Sequence, residues 1–178
     1  MKTNPLNSLI ITAFFLIVAG LITCSILFWT IHLGIGPTPT SRKVRTAIRD
    51  ILPGNLSGNI MELGCGWGHL IPTLREKYTD KKIEVWERSP IPAIFTQAIY
   101  GIDVKRRDFF EADFRNTELI VCYLFPGAMK RIESEIIPKL TKGCWIVTHT
   151  FSLPNRTPVQ VIKADDLYRT PVYLYQIH

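Results

Sequence analysis

Two carboxylates and three glycines carry the first chemical signal in the chain. Glu62-Leu63-Gly64-Cys65-Gly66-Trp67-Gly68 follows a short apolar run, Asn59-Ile60-Met61, and precedes a segment with helical character. Glu87 closes the next apolar run about one helix later. Strand, Gly-rich turn, helix, strand, acid is the order by which a doubly wound α/β domain holds an adenosine-containing cofactor. The glycines let the backbone approach the ligand, and the acid accepts hydrogen bonds from ribose hydroxyls.

The spacing narrows the ligand. A dinucleotide fingerprint, G-x-G-x-x-G, sets a pyrophosphate on a helix N-terminus. Here Gly64, Gly66 and Gly68 form G-x-G-x-G, with Glu62 two residues ahead. This E-x-G-x-G-x-G pattern resembles motif I of the seven-strand S-adenosylmethionine-dependent methyltransferases. Their cofactor has no pyrophosphate, and its aminoacyl arm carries an ammonium that suits an acid at the turn. The competing reading is an ordinary tight βα turn in another α/β protein.

The resemblance assigns further positions. Asp108 follows the third strand, where such folds place a carboxylate near the adenine amino group, with Phe109 beside the ring. Glu111 and Asp113 compete for the same role. The segment after the fourth strand faces the transferable methyl and reads Val121-Cys122-Tyr123-Leu124-Phe125-Pro126. It lacks the Asn/Asp-Pro-Pro-aromatic motif of enzymes acting on adenine or glutamine nitrogens, and the Pro-Cys of cytosine C5 enzymes. Cys122 therefore reads as packing. Tyr123 is a candidate for the acceptor pocket, with an apolar structural role as the alternative. His149 lies where the fifth strand ends, on the functional edge of an open α/β sheet, and could orient or deprotonate an acceptor. Its alternative is a polar loop contact.

These residues need a sheet to position them. Strands are expected at 59–63, 82–86, 102–107, 118–124 and 144–148. Helices are expected at 67–78, 90–100 and 127–137, the second opened by Ser89 and Pro90. Alternation of this kind predicts a parallel sheet. Runs at 159–163 and 171–177 have no helix between them and read as a terminal antiparallel pair. Little room is left for a helix between the third and fourth strands. The fold class is thus α/β: a compact doubly wound, Rossmann-like methyltransferase sheet with a C-terminal antiparallel strand pair, preceded by one transmembrane helix.

That helix is expected because residues 3–41 contain no Lys, Arg, Asp or Glu, and residues 9–33 are almost wholly apolar. The run exceeds a hydrocarbon core of about 30 Å. A cleaved signal peptide has a shorter apolar core and a small-x-small site. Leu21-Ile22-Thr23-Cys24 faintly resembles a lipoprotein box, but apolar sequence continues past it. Residues 34–40, rich in Gly and Pro, end the helix. Residues 1–40 thus read as anchor and linker, and residues 41–178 as the methyltransferase domain. Ser41 caps an amphipathic helix to about residue 52.

Of the net charge of +6, Lys2 supplies one unit, and the rest falls after residue 41. Arg42, Lys43, Arg45 and Arg49 put the domain on the cytoplasmic side by the positive-inside rule and suit anionic headgroups. Nucleic acid, with Arg106 and Arg107 joining the patch, is the alternative. The basic patch lacks interleaved aromatics, so no nucleic-acid partner is expected. Cys24, Cys65, Cys122 and Cys144 form no C-x-x-C pair, and Cys and His show no zinc pattern, so no metal is expected.

A closer resemblance rests on the anchor, the basic helix, the glycine turn, and two runs. They are Tyr123-Leu124-Phe125-Pro126-Gly127-Ala128-Met129 and Ile137-Pro138-Lys139-Leu140. Together these resemble the small membrane-anchored seven-strand methyltransferases whose mitochondrial members methylate lysines of the adenine nucleotide carrier and of the ATP synthase c subunit. Bacterial relatives share a Pro-Thr stretch, here Pro39-Thr40 or Pro37-Thr38, and a Ser/Thr-His-x-Phe stretch, here Thr148-His149-Thr150-Phe151. The resemblance implies S-adenosylmethionine as cofactor, bound by Thr40, Glu62, Gly64, Gly66, Gly68, Glu87, Asp108 and Phe109, with Tyr123 and His149 at the acceptor. It implies a membrane-protein lysine as substrate, membrane lipids as partner of the helix, and an inner-membrane location with a cytoplasmic domain (mitochondrial inner membrane if eukaryotic). Arg88 departs from the family, which often has Asn or a small residue after the ribose acid. Methylation of a lipid-soluble small molecule of quinone-precursor type, and a non-catalytic cofactor-binding scaffold, are the alternatives.

Overall fold

The computed structural model describes residues 5–34, 36 and 38–178; Lys2, Ile35 and Pro37 lie outside them. The boundary between two compact units falls between residues 36 and 37. In the first unit, α1 (Pro5–Leu33) is one helix. Its 28-residue stretch Leu6–Leu33 is long and apolar enough to cross a membrane, since at about 1.5 Å per residue it exceeds a core of about 30 Å. Phe28, Trp29 and His32 gather in its last turns, with Phe28 and His32 stacked at 5.9 Å.

The second unit begins with α2 (Arg42–Ile51). Ser41 has extended backbone, and its hydroxyl accepts a hydrogen bond from the Val44 N–H at 3.3 Å, as an N-cap should. Val44, Ala47, Ile48 and Ile51 are buried, while Arg42, Lys43, Arg49 and Asp50 face solvent. The alternation that follows gives β1 (Asn59–Leu63), α3 (Ile71–Lys77), β2 (Ile83–Trp86), α4 (Pro90–Tyr100), β3 (Val104–Lys105), β4 (Thr117–Cys122), α5 (Pro126–Arg131), β5 (Trp145–His149), β6 (Gln160–Lys163) and β7 (Pro171–Gln176).

The seven strands form one sheet in the order β3-β2-β1-β4-β5-β7-β6. β1 to β5 pair in parallel, and β7 runs antiparallel between β5 and β6. The winding reverses between β1 and β4, so the ends of those strands open the crevice where such folds take a ligand. Side chains alternate across the sheet. Met61, Leu63, Ile120, Cys122 and Ile146 pack with Met129, Ile132 and Ile136 on one face. Ile60, Leu119, Val121 and Val147 pack with α2 and α3 on the other.

Several strands shift by one or two residues from their expected bounds, and three elements differ more. α3 starts at Ile71 rather than 67, because Gly66 and Gly68 hold positive φ and Pro72 suits only a first turn. β3 shrinks to two residues at the sheet edge, where it has one neighbour. The helix expected at 127–137 is α5 followed by a π turn (Ile132–Ile136) and a 3-10 turn (Ile137–Lys139). Pro138 explains this, since its ring clashes with the carbonyl four residues back and it has no N–H to donate.

Between β3 and β4 there is a 3-10 turn, Phe109–Glu111, in place of a full helix. The sheet face beside β2 and β3 is left with a cleft of about 340 Å³, lined by residues that include Lys82, Glu84, Trp86 and Lys105. Lys82 Nζ lies 2.8 Å from Glu84 Oε1. Lys105 pairs with the other oxygen, and its ammonium sits 4.8 Å from the Trp86 ring centroid.

Gly68 ties the glycine turn to α4. It has φ +72, and a Cβ there would sit 2.7 Å from Thr96 Cγ2 and 2.8 Å from Tyr100 Cε2. Gly101 also has positive φ but nothing within 4 Å of its would-be Cβ. Gly101→Ala should cost about 1–2 kcal/mol for left-handed backbone, and Gly68→Ala roughly 1–3 kcal/mol more for overpacking. Equal losses in thermal unfolding would show that α4 yields freely at this contact.

Candidate active site

The turn from β1 into α3 is clamped from three sides. Gly64 N and Cys65 N both donate to the Trp86 carbonyl, at 2.8 and 3.0 Å. Gly66 N donates to Glu87 Oε2 at 2.9 Å, and Gly66 O accepts from Thr96 Oγ1 at 2.8 Å. Gly66 has φ +54, a conformation that costs other residues. Leu124 lies so close beneath Gly64 that a Cβ would meet its Cδ2 at 2.8 Å. The turn, the end of β2 and the segment after β4 therefore hold one another in register.

Glu62 and Glu87 meet at this turn. Glu87 is buried and pinned: Oε2 takes the Gly66 N–H and Oε1 takes the Ser89 N–H at 2.7 Å. Glu62 is 2% exposed, and its Oε2 has no hydrogen-bond partner. Burial, and then the charge of Glu87, push its carboxyl up to about 8. Desolvation and a like-charged neighbour act in the same direction. A buried carboxylate oxygen without a donor is an incomplete arrangement. A cationic donor, such as the ammonium of an aminoacyl arm, completes it and favours the ionised form. The residues present fit S-adenosylmethionine on this ground.

Asp108 caps the 3-10 turn, accepting from Phe110 N at 3.1 Å, and lies 3.4 Å from Arg88 Nη1. Arg88 thus turns towards the end of β3. Phe109 is half-buried against the core, with its ring centroid 4.6 Å from that of Phe110. Glu111 and Asp113, the competitors for the adenine position, are exposed, and Asp113 is bound by Arg115. Thr40 is half-buried beside the cap of α2. One turn on, Arg45 Nη1 donates to His69 O at 3.4 Å and ties α2 to the glycine turn.

On the other side of the crevice, Tyr123 and His149 stack at 4.3 Å, and Tyr123 and Phe151 lie parallel at 6.2 Å. Thr148 Oγ1 donates to Phe151 O at 2.7 Å, and Phe151 N donates to His149 O at 2.7 Å. The second bond closes a three-residue turn with Thr150 at φ +66, a strained form for a β-branched residue. His149 is enclosed: it is 4% exposed, and its Nε2 has no partner. Burial holds its imidazole down to about 4, opposed by the charge of Asp166. His149 is therefore neutral at pH 7, while Tyr123 stacked on it is half-buried.

Sequence reasoning did not single out Thr96, Leu124 or Asp166. Thr96 is wholly buried in a mostly apolar helix, and a hydroxyl at such a position is a signal of a backbone contact. The contacts of Leu124 and Asp166 depend on tertiary packing and have no local signature.

The two titrating groups have opposite effects on stability. Glu62 rises from 4.5 to about 8, so the native state keeps a proton that the unfolded chain has released, and stability falls as pH rises through that window. His149 falls from 6.5 to about 4, so stability is lost as pH drops below 6.5. Between pH 6.5 and 8 only Glu62 contributes of the two. Thermal unfolding of the cofactor-free protein should show stability declining there by up to about 1.4 kcal/mol per pH unit. Glu62→Gln should flatten that slope; an unchanged slope would place the proton elsewhere.

Known proteins share the sequence pattern and the fold of this domain. The family model described as the ANTKMT methyltransferase domain matches residues 62–160. A protein-lysine N-methyltransferase of Saccharolobus islandicus (strain REY15A) is 26% identical over 147 residues, covering 78% of this chain and 91% of the relative. An RNA methyltransferase from Salinibacter ruber, solved with S-adenosyl-L-homocysteine, shares the fold at a TM-score of 0.68 and 20% identity, covering 79% of this chain and 94% of that one. A S-adenosylmethionine-dependent O-methyltransferase from Thermotoga maritima does so at 0.58 and 12% identity, covering 79% and 67%. The family match spans more than half of the chain, from the buried Glu62 to the first residue of β6, and the chain belongs to the ANTKMT methyltransferase domain family.

Proposed function

We propose that this S-adenosylmethionine-dependent methyltransferase acts on lysine side chains of a membrane-associated protein. Residues 41–178 are the catalytic domain, and residues 1–40 are an anchor and linker that hold it on the cytoplasmic face of an inner membrane. The observation that carries the cofactor reading is the orphaned oxygen of Glu62 beside the pinned carboxylate of Glu87. The lysine reading draws on the family and on the Saccharolobus relative. The membrane reading draws on the uncharged α1 and the basic residues that follow it.

In this reading Glu62 holds the ammonium of the cofactor, and the turn at Gly64, Gly66 and Gly68 supports its body. Glu87 takes the ribose hydroxyls with the lone pairs its backbone donors leave free. Phe109 lies beside the adenine, with Asp108 fixing the turn that carries it, and Thr40 covers the site from the α2 side. When bound, the cofactor would supply a methyl group on its sulfonium sulfur, which the acceptor nitrogen would take as the C–S bond breaks and S-adenosylhomocysteine leaves. The chain aligns that nitrogen and excludes water. Tyr123 is the residue placed to touch the acceptor. His149, enclosed and neutral, positions the Tyr123 ring. With its imidazole at about 4, His149 is a poor base for a lysine ammonium, whose usual value is about 10.4. The acceptor proton therefore leaves to water before the transfer.

Glu87→Ala should weaken S-adenosylmethionine binding by roughly 1–3 kcal/mol, the scale of a charge-assisted hydrogen bond. Unchanged affinity in calorimetry would move the ribose contact to another residue. Deleting residues 1–36 should leave cofactor affinity and methylation of a soluble lysine peptide intact. Methylation of the native membrane acceptor should fall by roughly a hundredfold, as the effective concentration set by a short tether is lost. Equal rates on membranes at both high and low salt would identify a soluble acceptor.

A further inference from the structure

The connection between β6 and β7 puts two large apolar side chains into solvent. Leu167 is 88% exposed and Tyr168 is 84% exposed. They occupy the corner of a tight turn, in which Arg169 N donates to Asp166 O at 3.1 Å and Arg169 takes φ +51. Asp166 locks the turn from within. Its Oδ1 accepts Thr170 N at 2.8 Å, and its Oδ2 accepts Thr170 Oγ1 at 2.6 Å. Ala164 N donates to Thr170 O at 2.9 Å and closes the base. Turn corners usually carry Gly, Asn, Asp or Pro. Here a rigid support displays an aliphatic and an aromatic residue instead.

The turn lies at the catalytic edge. β7 enters the sheet with Val172 opposite His149, and Thr150 N donates to Pro171 O at 2.9 Å. It also lies where the chain enters the domain, since Asp165 is 3.4 Å from Lys43 in the first turn of α2. Residues 34–40 are the whole connection from α1, and at full extension they reach about 25 Å. Arg42, Lys43, Lys163 and Arg169 are all exposed on or beside the elements that carry the turn; Lys43 is paired with Asp165, so the excess positive charge there rests on the other three. Apolar tips with such charge on the same elements match an anionic bilayer, which offers an acyl boundary beneath negative headgroups.

We propose that the turn at residues 166–169 is a membrane-contact device: Leu167 and Tyr168 enter the headgroup region of an anionic bilayer and hold the catalytic edge of the sheet against it. This rests on the reading of α1 as an anchor. It adds that the domain has one fixed face towards the lipid, rather than swinging on its linker. Burying a leucine and a tyrosine gives a contact strong enough to orient a tethered domain, though not to recruit a free one.

The test uses the full chain in vesicles of phosphatidylcholine and phosphatidylglycerol. Cys24 is replaced by Ser, and Cys65, Cys122 and Cys144 are buried and unlabelled. Leu167→Cys, and separately Tyr168→Cys, carries a nitrobenzoxadiazole label; Asp80→Cys, in the exposed α3–β2 connection, is the control. Lipid nitroxide at the headgroup–acyl boundary should quench the labels at 167 and 168 several-fold more than the label at 80, as expected about 5–10 Å into that boundary. Equal quenching at all three positions in protein that floats with the vesicles overturns the proposal while leaving the anchor intact. Labels shielded only after membrane proteins are added identify a protein-docking surface and overturn the lipid assignment. Protein that fails to float overturns the anchor reading, and this inference falls with it.

Discussion

Two carboxylates converge on one glycine turn, and only one of them has its hydrogen bonds made. Glu87 is held by backbone donors on both oxygens, so its position is a property of the fold. Glu62 is held by burial alone on one side, and its environment raises its proton affinity. Leaving such a group unsatisfied costs stability that a well-packed apolar residue would not. The rest of the domain places that cost where a cationic ligand can offset it. β1 lies inside the sheet between β2 and β4, its end faces the crevice between β1 and β4, and α4 and Leu124 close in around the glycines.

The two walls of the crevice are built by different physics. One is polar and clamped, with Thr96, Glu87 and the Trp86 carbonyl each taking a backbone group of the turn. The other is a stack of rings beside a strained three-residue turn, with a neutral imidazole enclosed behind a tyrosine. In the proposed function the first would take charge and hydroxyls of the cofactor, and the second would present ring faces to the acceptor.

Much of the fold was legible in the sequence. Glycine spacing with Glu62 and Glu87 marked the turn at which the two carboxylates meet. Alternating apolar runs marked the parallel sheet and its reversed tail. Two of the boundaries that shifted did so through proline chemistry, at Pro72 and Pro138, whose steric demands act several residues away. The enclosure of His149 was not legible. A histidine at a strand end reads as reactive, and only the packing of Tyr123 and the turn at Thr150 show it neutral and covered. Asp108 likewise reads as a ligand residue, whereas its cap and its contact with Arg88 appear only in three dimensions.

The missing helix between β3 and β4 leaves one corner of the sheet without an apolar cover. What spans the strands there is a small ionic lattice: Glu84 between Lys82 and Lys105, with Lys105 lying over Trp86. Apolar contacts are indifferent to dissolved ions, while partly exposed ion pairs are screened by them. The domain therefore has a seam whose cohesion follows ionic strength, on the strand that leads into Glu87. Breathing along that seam would be felt at Glu87 before it reached the centre of the sheet, so the salt content of the surrounding medium acts as a dial on one wall of the crevice alone.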